Sequence, residues 1–324
     1  MRILVTGGAG FIGANLLRLL SNEHPEDQLT TIDALTYAGH RESVRDLEKS
    51  KKLRFVHADI RSREAVDPLV KESDLVIHLA AESHVDRSIS DAMPFLETNV
   101  LGTGVLLEAA RRHDLARFHL VSTDEVMGSL PLDRPEVKFD RRTPYDPRSP
   151  YAASKAAADH LARAYFHTYR LPVTISNCAN NFGPYHHPEK LIPLAITHLL
   201  RGKRVPIYGD GNNVRDWIYV EDHCRAVDLV ARKGTPGETY LIGAECERSN
   251  NEVVHQILQI LGKGGESLEY VPDRPGHDRR YAIDPSFLRD SLGWKPRYSF
   301  EESLRRTVEW YVQNRAWWEP LLPP

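Results

Sequence analysis

The chain has 324 residues, 42 Lys plus Arg against 45 Asp plus Glu, and a net charge of −3 with neutral histidine. This balance excludes a general polyanion binder, and with it a nucleic-acid partner, because such proteins carry a strongly basic surface. With 41% hydrophobic and 27% charged residues the composition is that of an ordinary globular protein of one large or two average domains. No charge-free apolar run approaches the ~18 residues of a membrane span. The opening MRILVTGG carries no signal-peptide h-region. Cys178, Cys224 and Cys246 are too few and too widely spaced for a disulfide framework or a zinc site. The expectation is a cytoplasmic protein with reduced thiols, no metal and no membrane partner.

In chain order, residues 2–6 predict a strand and 11–20 an amphipathic helix. Strands follow at 29–32, 54–57 and 75–79, a helix at 94–112, a strand at 117–122, an Ala-rich helix at 151–169 and a strand at 173–177. Strands alternating with helices imply βαβ units and a parallel sheet. Strands apolar on both faces imply helices on both sides. The predicted fold is therefore α/β, a Rossmann-type doubly wound parallel sheet forming a dinucleotide-binding domain over 1–175. Helices at 189–201, 221–232, 250–261 and 301–314 and short strands at 205–208, 239–242 and 268–271 predict a smaller mixed α/β C-terminal lobe over 176–324. This lobe is expected to be interleaved with the first domain, to whose sheet later strands return. The polar segment 129–149 contains Pro131, Pro135, Pro144 and Pro147. It is long for a connector and reads either as a functional flap or as a disordered surface loop.

Residues 6–13 read TGGAGFIG, directly after the first strand and opening the first helix. In that context the glycines make a tight turn, let the backbone approach a pyrophosphate, and aim a helix N-terminus at its charge. Asp33 ends the second strand, where a carboxylate binds the ribose hydroxyls of NAD and repels a 2′-phosphate. No Arg or Lys follows before Arg41, so NAD is expected rather than NADP. Asp59 and Ile60 follow the third strand, and Leu79, Ala80 and Ala81 follow the fourth, where strand ends face a dinucleotide.

Residues 150–155 read PYAASK, with Tyr151 and Lys155 on one helical face. A phenol with a pKa near 10 is a poor base at neutral pH. An adjacent ammonium and a nicotinium charge would favour the phenolate, which could take a hydroxyl proton while hydride leaves the same carbon. Thr123, Asp124 and Glu125 end the fifth strand as part of STDE. Adjacent residues of a regular strand point to opposite faces, so both acids reach one substrate only if the strand has already broken. Two carboxyls beyond the hydroxyl and the phenol imply further proton chemistry, such as elimination of water.

These motifs resemble the extended short-chain dehydrogenase/reductases, and within them the dTDP-glucose 4,6-dehydratases. The likeness runs through TGGAGFIG, IDALTYAGH at 32–40, HLAAESHVDRS at 78–88, STDEV at 122–126, SPYAASKA at 149–156, NCANNFGPYHHPEKLIP at 177–193, YGDGNNVRDWIYVEDH at 208–223 and DRPGHDRRYAID at 273–284. The resemblance implies NAD held by Gly7, Gly10, Phe11, Ile12, Gly13, Asp33, Leu35, Thr36, Gly39, Asp59, Ile60, Leu79, Ala80, Ala81, Ser83, Asn99, Tyr151, Lys155 and Asn177. It implies a nucleotide-sugar substrate held by Ser83, Thr123, Asn180, Lys190, Leu191, Pro206, Tyr208, Arg215, Asn250, Arg274 and His277. It further implies that Tyr151, with Lys155 and Thr123, is the base on the sugar O4, that Glu125 removes the C5 proton, and that protonated Asp124 delivers a proton to the departing C6 hydroxyl. Hydride leaves C4 for NAD and returns to C6. A homodimer pairing the helices at 94–112 and 151–169 is implied as well. A nucleotide-sugar 4-epimerase or decarboxylase, which needs no such acid pair, is the alternative, and a non-catalytic NAD sensor is a third. One departure stands out: the usual Val-Tyr-Gly after the acids is Val126-Met127-Gly128 here, which either repacks the interior or alters the sugar pocket.

Overall fold

In the computed structural model, which describes residues 1–273 and 276–322, all six predicted strands of the first half lie in one parallel sheet. From one edge it runs β3 (Leu53–His57), β2 (Gln28–Asp33), β1 (Arg2–Thr6), β4 (Leu75–His78), β5 (Arg117–Thr123) and β6 (Val173–Cys178). A seventh strand from the second half of the chain, β10 (Thr239–Ile242), pairs in parallel with β6 and closes the other edge. Alternate residues feed two cores. Ile3, Val5, Ile77 and Val121 face one side, with Leu16, Leu17 and Leu20 of α1 (Phe11–Glu23) and Ala226 and Val227 of α9 (Val220–Lys233). Leu4, Val76, Leu120 and Ile175 face the other, with Val66 and Leu69 of α3 (Arg63–Lys71), Leu106 and Leu107 of α6 (Thr103–Arg112), and Ala158 and Ala162 of α7 (Pro150–Tyr169). Strand order reverses between β1 and β4, so a crevice opens at the C-terminal ends of the strands, where ligands of such sheets bind.

The rest is built from short pieces. Helix α2 (Arg45–Lys49) follows the loop after β2, and α4 (Val85–Ser90) and α5 (Met93–Phe95) flank the crevice. Strands β7 (Asn180–Phe182), β9 (Val214–Tyr219) and β11 (Glu247–Ser249) form a mixed sheet in the order β11-β9-β7. Strands β8 (Val205–Tyr208) and β12 (Leu268–Val271) pair in parallel. Around them lie α8 (Leu191–Leu200), α10 (Asn250–Leu261), α11 (Ser286–Leu292), α12 (Phe300–Gln313) and α13 (Arg315–Trp318). A capping box between Ser249 and Glu252 starts α10.

Three expectations change. The single helix over 94–112 is α5, then a π-helical stretch Leu96–Gly102, then α6. Gly102 lies so close to β3's following loop that a Cβ there would sit 2.6 Å from Ile60 Cδ1. Helix α8 starts at Leu191 rather than 189, because Lys190 is still extended (φ −88°, ψ 152°). The segment 129–149 is not a disordered loop but is tied to the body of the protein. The buried Arg280 guanidinium donates to the carbonyls of Arg134, Pro135 and Val137 and pairs with Glu247, while Phe139 exchanges backbone hydrogen bonds with Ala282 and Asp284. The three cysteines are free thiols. Among the described residues no helix is long and apolar enough to cross a membrane, and no cluster of side chains is suited to a metal.

Candidate active site

A cavity of about 820 Å³ occupies the crevice, within the range of sites that enclose a small ligand. One end is lined by the glycine turn. Gly7 has φ +74°, and a Cβ on it would lie 2.7 Å from Ala80 N; a Cβ on Gly13 would lie 2.2 Å from Gly7 O. Both positions therefore require glycine. Helix α1 begins here with Gly10 as N-cap, and no side chain caps it. Its first amides therefore point at the cavity without a side-chain acceptor. Asp33, at the end of β2, accepts from Ala9 N (2.9 Å) and Leu35 N (2.8 Å), which folds the following loop back over the turn. Burial raises its pKa above the ordinary carboxylate value, and the two amides oppose that rise.

The neighbouring strand end is fixed by a buried chain of hydrogen bonds. Thr103 Oγ1 donates to Asn99 O (2.6 Å), so at 2.9 Å it accepts from His78 Nε2. His78 Nδ1 then accepts from Thr6 Oγ1 (2.7 Å), which in turn accepts from Leu79 N and Ala80 N. Burial pushes His78 down to about 3, which keeps the imidazole neutral and this tautomer in place.

The centre of the cavity holds the acid–base groups. β5 ends at Thr123 and breaks at once into a 3₁₀ turn, Asp124–Met127, so both Asp124 and Glu125 line the cavity. Thr123 Oγ1 accepts from Glu125 N (3.3 Å) and donates to Asp124 Oδ1 (3.4 Å). Asp124 is 2% exposed, and its pKa is driven well above the usual value by burial, then by Glu125 and Asp216. Both effects favour its protonated form over the carboxylate. Ser149 caps α7 by accepting from Ala152 N (3.1 Å), with Pro150 in its first turn, and this places Tyr151 and Lys155 against the β5 end. Lys155 Nζ donates to Val121 O (2.8 Å), and burial lowers its pKa. The Tyr151 phenol is raised well above its ordinary value by burial, then by Glu125 and Cys178, while a hydrogen bond with Thr123 works the other way. Within the protein alone, burial and the neighbouring acid work against the phenolate, and the Thr123 hydrogen bond works for it.

The far end is lined by Asn180, Lys190, Leu191, Pro206, Tyr208, Arg215, Asn250 and His277. They come from β7, α8, β8, β9, α10 and the loop after β12. The buried Arg215 lies 4.2 Å over the Tyr281 ring and donates to Asp278 O (2.9 Å). Tyr281 is held by its own hydroxyl on Asp278 Oδ2 (2.6 Å). Lys190 Nζ reaches Ser83 O (3.2 Å), joining the two ends of the cavity.

Nearly all expected site residues meet here. Leu35, Asn99 and Asn177 do not face the cavity. Asn99 is buried in the π-helical stretch, where it donates to Glu82 O and Ser154 Oγ and accepts from Glu82 N. Asn177 donates to Thr123 O and Asp159, so it holds the β5 end from behind. Arg274 lies outside the described residues. Met127 is buried in the interior and absent from the cavity wall, as is Phe182, packed against Trp217, Tyr219 and Phe300. Cys178, Trp217 and Tyr281 line the cavity but were not singled out from the sequence. All three sit within the motifs above, Cys178 in NCANNFGPYHHPEKLIP, Trp217 in YGDGNNVRDWIYVEDH and Tyr281 in DRPGHDRRYAID, which was the signal available for them.

The GDP-mannose 4,6 dehydratase family profile matches residues 4–307. The dTDP-glucose 4,6-dehydratase of Mycolicibacterium smegmatis is 53% identical over 99% of this chain and 96% of its own. A crystal structure of the dTDP-glucose 4,6-dehydratase of Streptomyces venezuelae, with NAD and TYD bound, superposes with a TM-score of 0.96 at 48% identity, covering 99% of this chain and all of that one. The UDP-glucose 4-epimerase of Thermus thermophilus, in complex with NAD, has a TM-score of 0.89 at 31% identity over 97% of this chain. An identity of one half along the whole length, together with the acid pair beside Tyr151, makes this chain a member of the dTDP-glucose 4,6-dehydratase family of extended short-chain dehydrogenase/reductases.

Proposed function

We propose that the chain is an NAD-dependent nucleotide-sugar 4,6-dehydratase that converts dTDP-glucose to its 4-keto-6-deoxy product. The observation that carries this reading is the pair Asp124 and Glu125 on one turn beside Thr123 and Tyr151 in a single cavity. Oxidation at C4 alone needs no such pair. The glycine cradle, the uncapped α1 N-terminus and Asp33 suit a dinucleotide. Arg41, the first cation after Asp33, is engaged by Glu48, and the Asp33 carboxylate repels a 2′-phosphate, which together favour NAD over NADP.

When bound, NAD supplies a hydride acceptor for C4 and a hydride donor for C6. Tyr151 takes the O4 proton, with the Thr123 hydroxyl orienting the phenol and Lys155 adding positive charge nearby. The C4 carbonyl acidifies the C5 proton, which Glu125 removes, and a proton returns to C5 from Glu125 as hydride enters C6. Asp124, whose protonated form is favoured by burial and by its acidic neighbours, passes its proton to the C6 hydroxyl, which leaves as water. Adjacent carboxyls can divide the roles of acid and base because their environments push their pKa values apart. Arg215 offers a fork-shaped donor set suited to the diphosphate of the substrate. We take residues 1–175 as the dinucleotide-binding domain and 176–324 as the substrate lobe. The exposed Met93, Leu96, Leu101 and Tyr169, on and beside the helical segments 94–112 and 150–169, support a homodimer through that face. Cytoplasmic residence fits the free thiols.

The test is direct: purified protein is incubated with dTDP-, UDP- and GDP-hexoses and the 4-keto-6-deoxy sugar is assayed. Turnover of dTDP-glucose is expected, and no turnover of any of them overturns the reading. Full turnover by Glu125→Gln would favour the 4-epimerase alternative.

A further inference from the structure

Behind the wall of the cavity next to Asp33 lies a continuous aromatic assembly with no part in the steps above. In its inner layer Phe11, His186 and His187 line the cavity: Phe11 stacks on His186 (4.0 Å between centroids), and His187 packs edge-on to Tyr37 behind the wall (5.8 Å). A second layer joins that wall to the loop after β2, where His40 stacks on His187 (5.9 Å) and donates its backbone N–H to Ala9 O of the glycine turn (3.0 Å). The outer layer comes from α12 and α13. Trp317 packs edge-on to His40 (6.1 Å), and its indole Nε1 donates to the buried Ser43 Oγ (3.1 Å). Trp310 and Trp317 enclose Tyr185, at 4.7 and 5.5 Å. Tyr185 has φ +65°, a backbone geometry that a tyrosine adopts only when its surroundings impose it. Tyr311 Oη donates to the carbonyl of His186.

The outer residues thus grip two non-regular parts of the wall, the loop 34–43 and the segment 184–187, without lining the cavity themselves. We propose that α12 and α13 form a clasp that holds these two loops over the dinucleotide, with Trp317 as its positioning residue, and that opening of this clasp sets the rate at which NAD leaves. The inference rests on reading the cavity as an NAD site; the proposed reaction, which regenerates the cofactor in every turnover, adds that a closed wall costs the catalytic cycle nothing.

The experiment measures exchange of bound NAD against labelled NAD in the full-length holoprotein. Trp317→Ala removes an aromatic contact and a hydrogen bond and is expected to speed exchange by roughly tenfold or more. Trp317→Phe, which keeps the ring contacts, and Ser43→Ala, which removes only the hydrogen-bond acceptor, are expected to give a few-fold increase each. Binding of dTDP should be unchanged in all three, because the far end of the cavity is untouched. Exchange at the wild-type rate in Trp317→Ala with an unchanged thermal transition overturns the proposal. If Trp317→Ala does not fold, exchange at the wild-type rate in both milder variants overturns it. Failure of the dehydratase reading appears instead as absent turnover with exchange kinetics intact.

Discussion

At the end of the cavity proposed for the dinucleotide, the wall is made of backbone and very small side chains: Gly7, Gly10, Gly13, Ala80 and Ala81, held by strand ends whose positions the sheet dictates. At the end proposed for the sugar nucleotide it is made of Arg215, Tyr208, Lys190, Asn180 and His277, long side chains delivered by separate short elements. The first end is specified by what is missing, since a Cβ at Gly7 or Gly13 would collide with backbone. The second is specified by what is present and by the anchors behind it, such as Asp278 beneath Arg215 and Tyr281. Between them the turn Thr123–Asp124–Glu125 belongs to both: the sheet places it, and its chemistry lies in side chains.

The comparison breaks most sharply at Tyr151. Tyr151→Phe is expected to lower kcat for dTDP-glucose by about 10³-fold, as for loss of a general base, while leaving NAD bound, because the glycine end is untouched. Steady-state turnover with the NAD content of the purified variant checks both halves. A variant that lost NAD would show that the two ends are not separable. Next in size, Asp124→Asn is expected to lower kcat by about 10²-fold, consistent with loss of a general acid. Reduced cofactor should still form in a single turnover, because C4 oxidation precedes elimination. An absorbance trace without reduced NAD would place Asp124 in the first step and so contradict its assignment as the acid for the C6 hydroxyl.

The dinucleotide end was also the part legible in the sequence, and for the same reason. A glycine forced by close backbone approach leaves a spacing that can be read, and strands buried on both faces leave apolar runs. β9 was not found, because Arg215 and Asp216 look like a solvated pair in sequence; both are buried, Arg215 on a backbone carbonyl and Asp216 on the amide of Cys246. α3 was missed because Pro68 interrupts it, although Ser62 caps it in the ordinary way. The π-helical stretch that sets Asn99 has no periodicity to betray it. Roles carried by local chain geometry were readable, whereas those carried by tertiary burial of a charge were not.

Asp216 turns that last point into a measurement. Burial, with Glu247 nearby, raises its pKa from the ordinary 3.8 to about 6. A carboxyl whose folded pKa is raised favours the folded state below its unfolded pKa, and that contribution is lost as pH rises through the folded value. The window is therefore between about 4 and 6, and the loss is about 3 kcal/mol. Asp216→Asn keeps an acceptor for Cys246 N and cannot ionise. Its stability relative to wild type is expected to rise by about that amount between pH 4 and pH 7 in denaturant titrations. A difference that is flat with pH would mean that Asp216 is solvated in the folded state.

The smallest effect is expected at Met127, where the sequence departs from its relatives two residues from Glu125. If this residue shaped the sugar pocket, restoring the phenol should change substrate use. The structure places its side chain in the interior, 5% exposed and away from the cavity wall. Met127→Tyr therefore acts on packing: a larger, less flexible ring with a hydroxyl that needs a partner is expected to cost about 1–3 kcal/mol of stability. The kcat/KM for dTDP-glucose, and its ratio to UDP-glucose, should stay within about threefold of wild type, less than the discrimination expected for even one methylene in a pocket. A larger change in the ratio would show that the 3₁₀ turn transmits the identity of residue 127 to Glu125. The turn would then be part of the sugar end of the cavity rather than a rigid extension of the sheet.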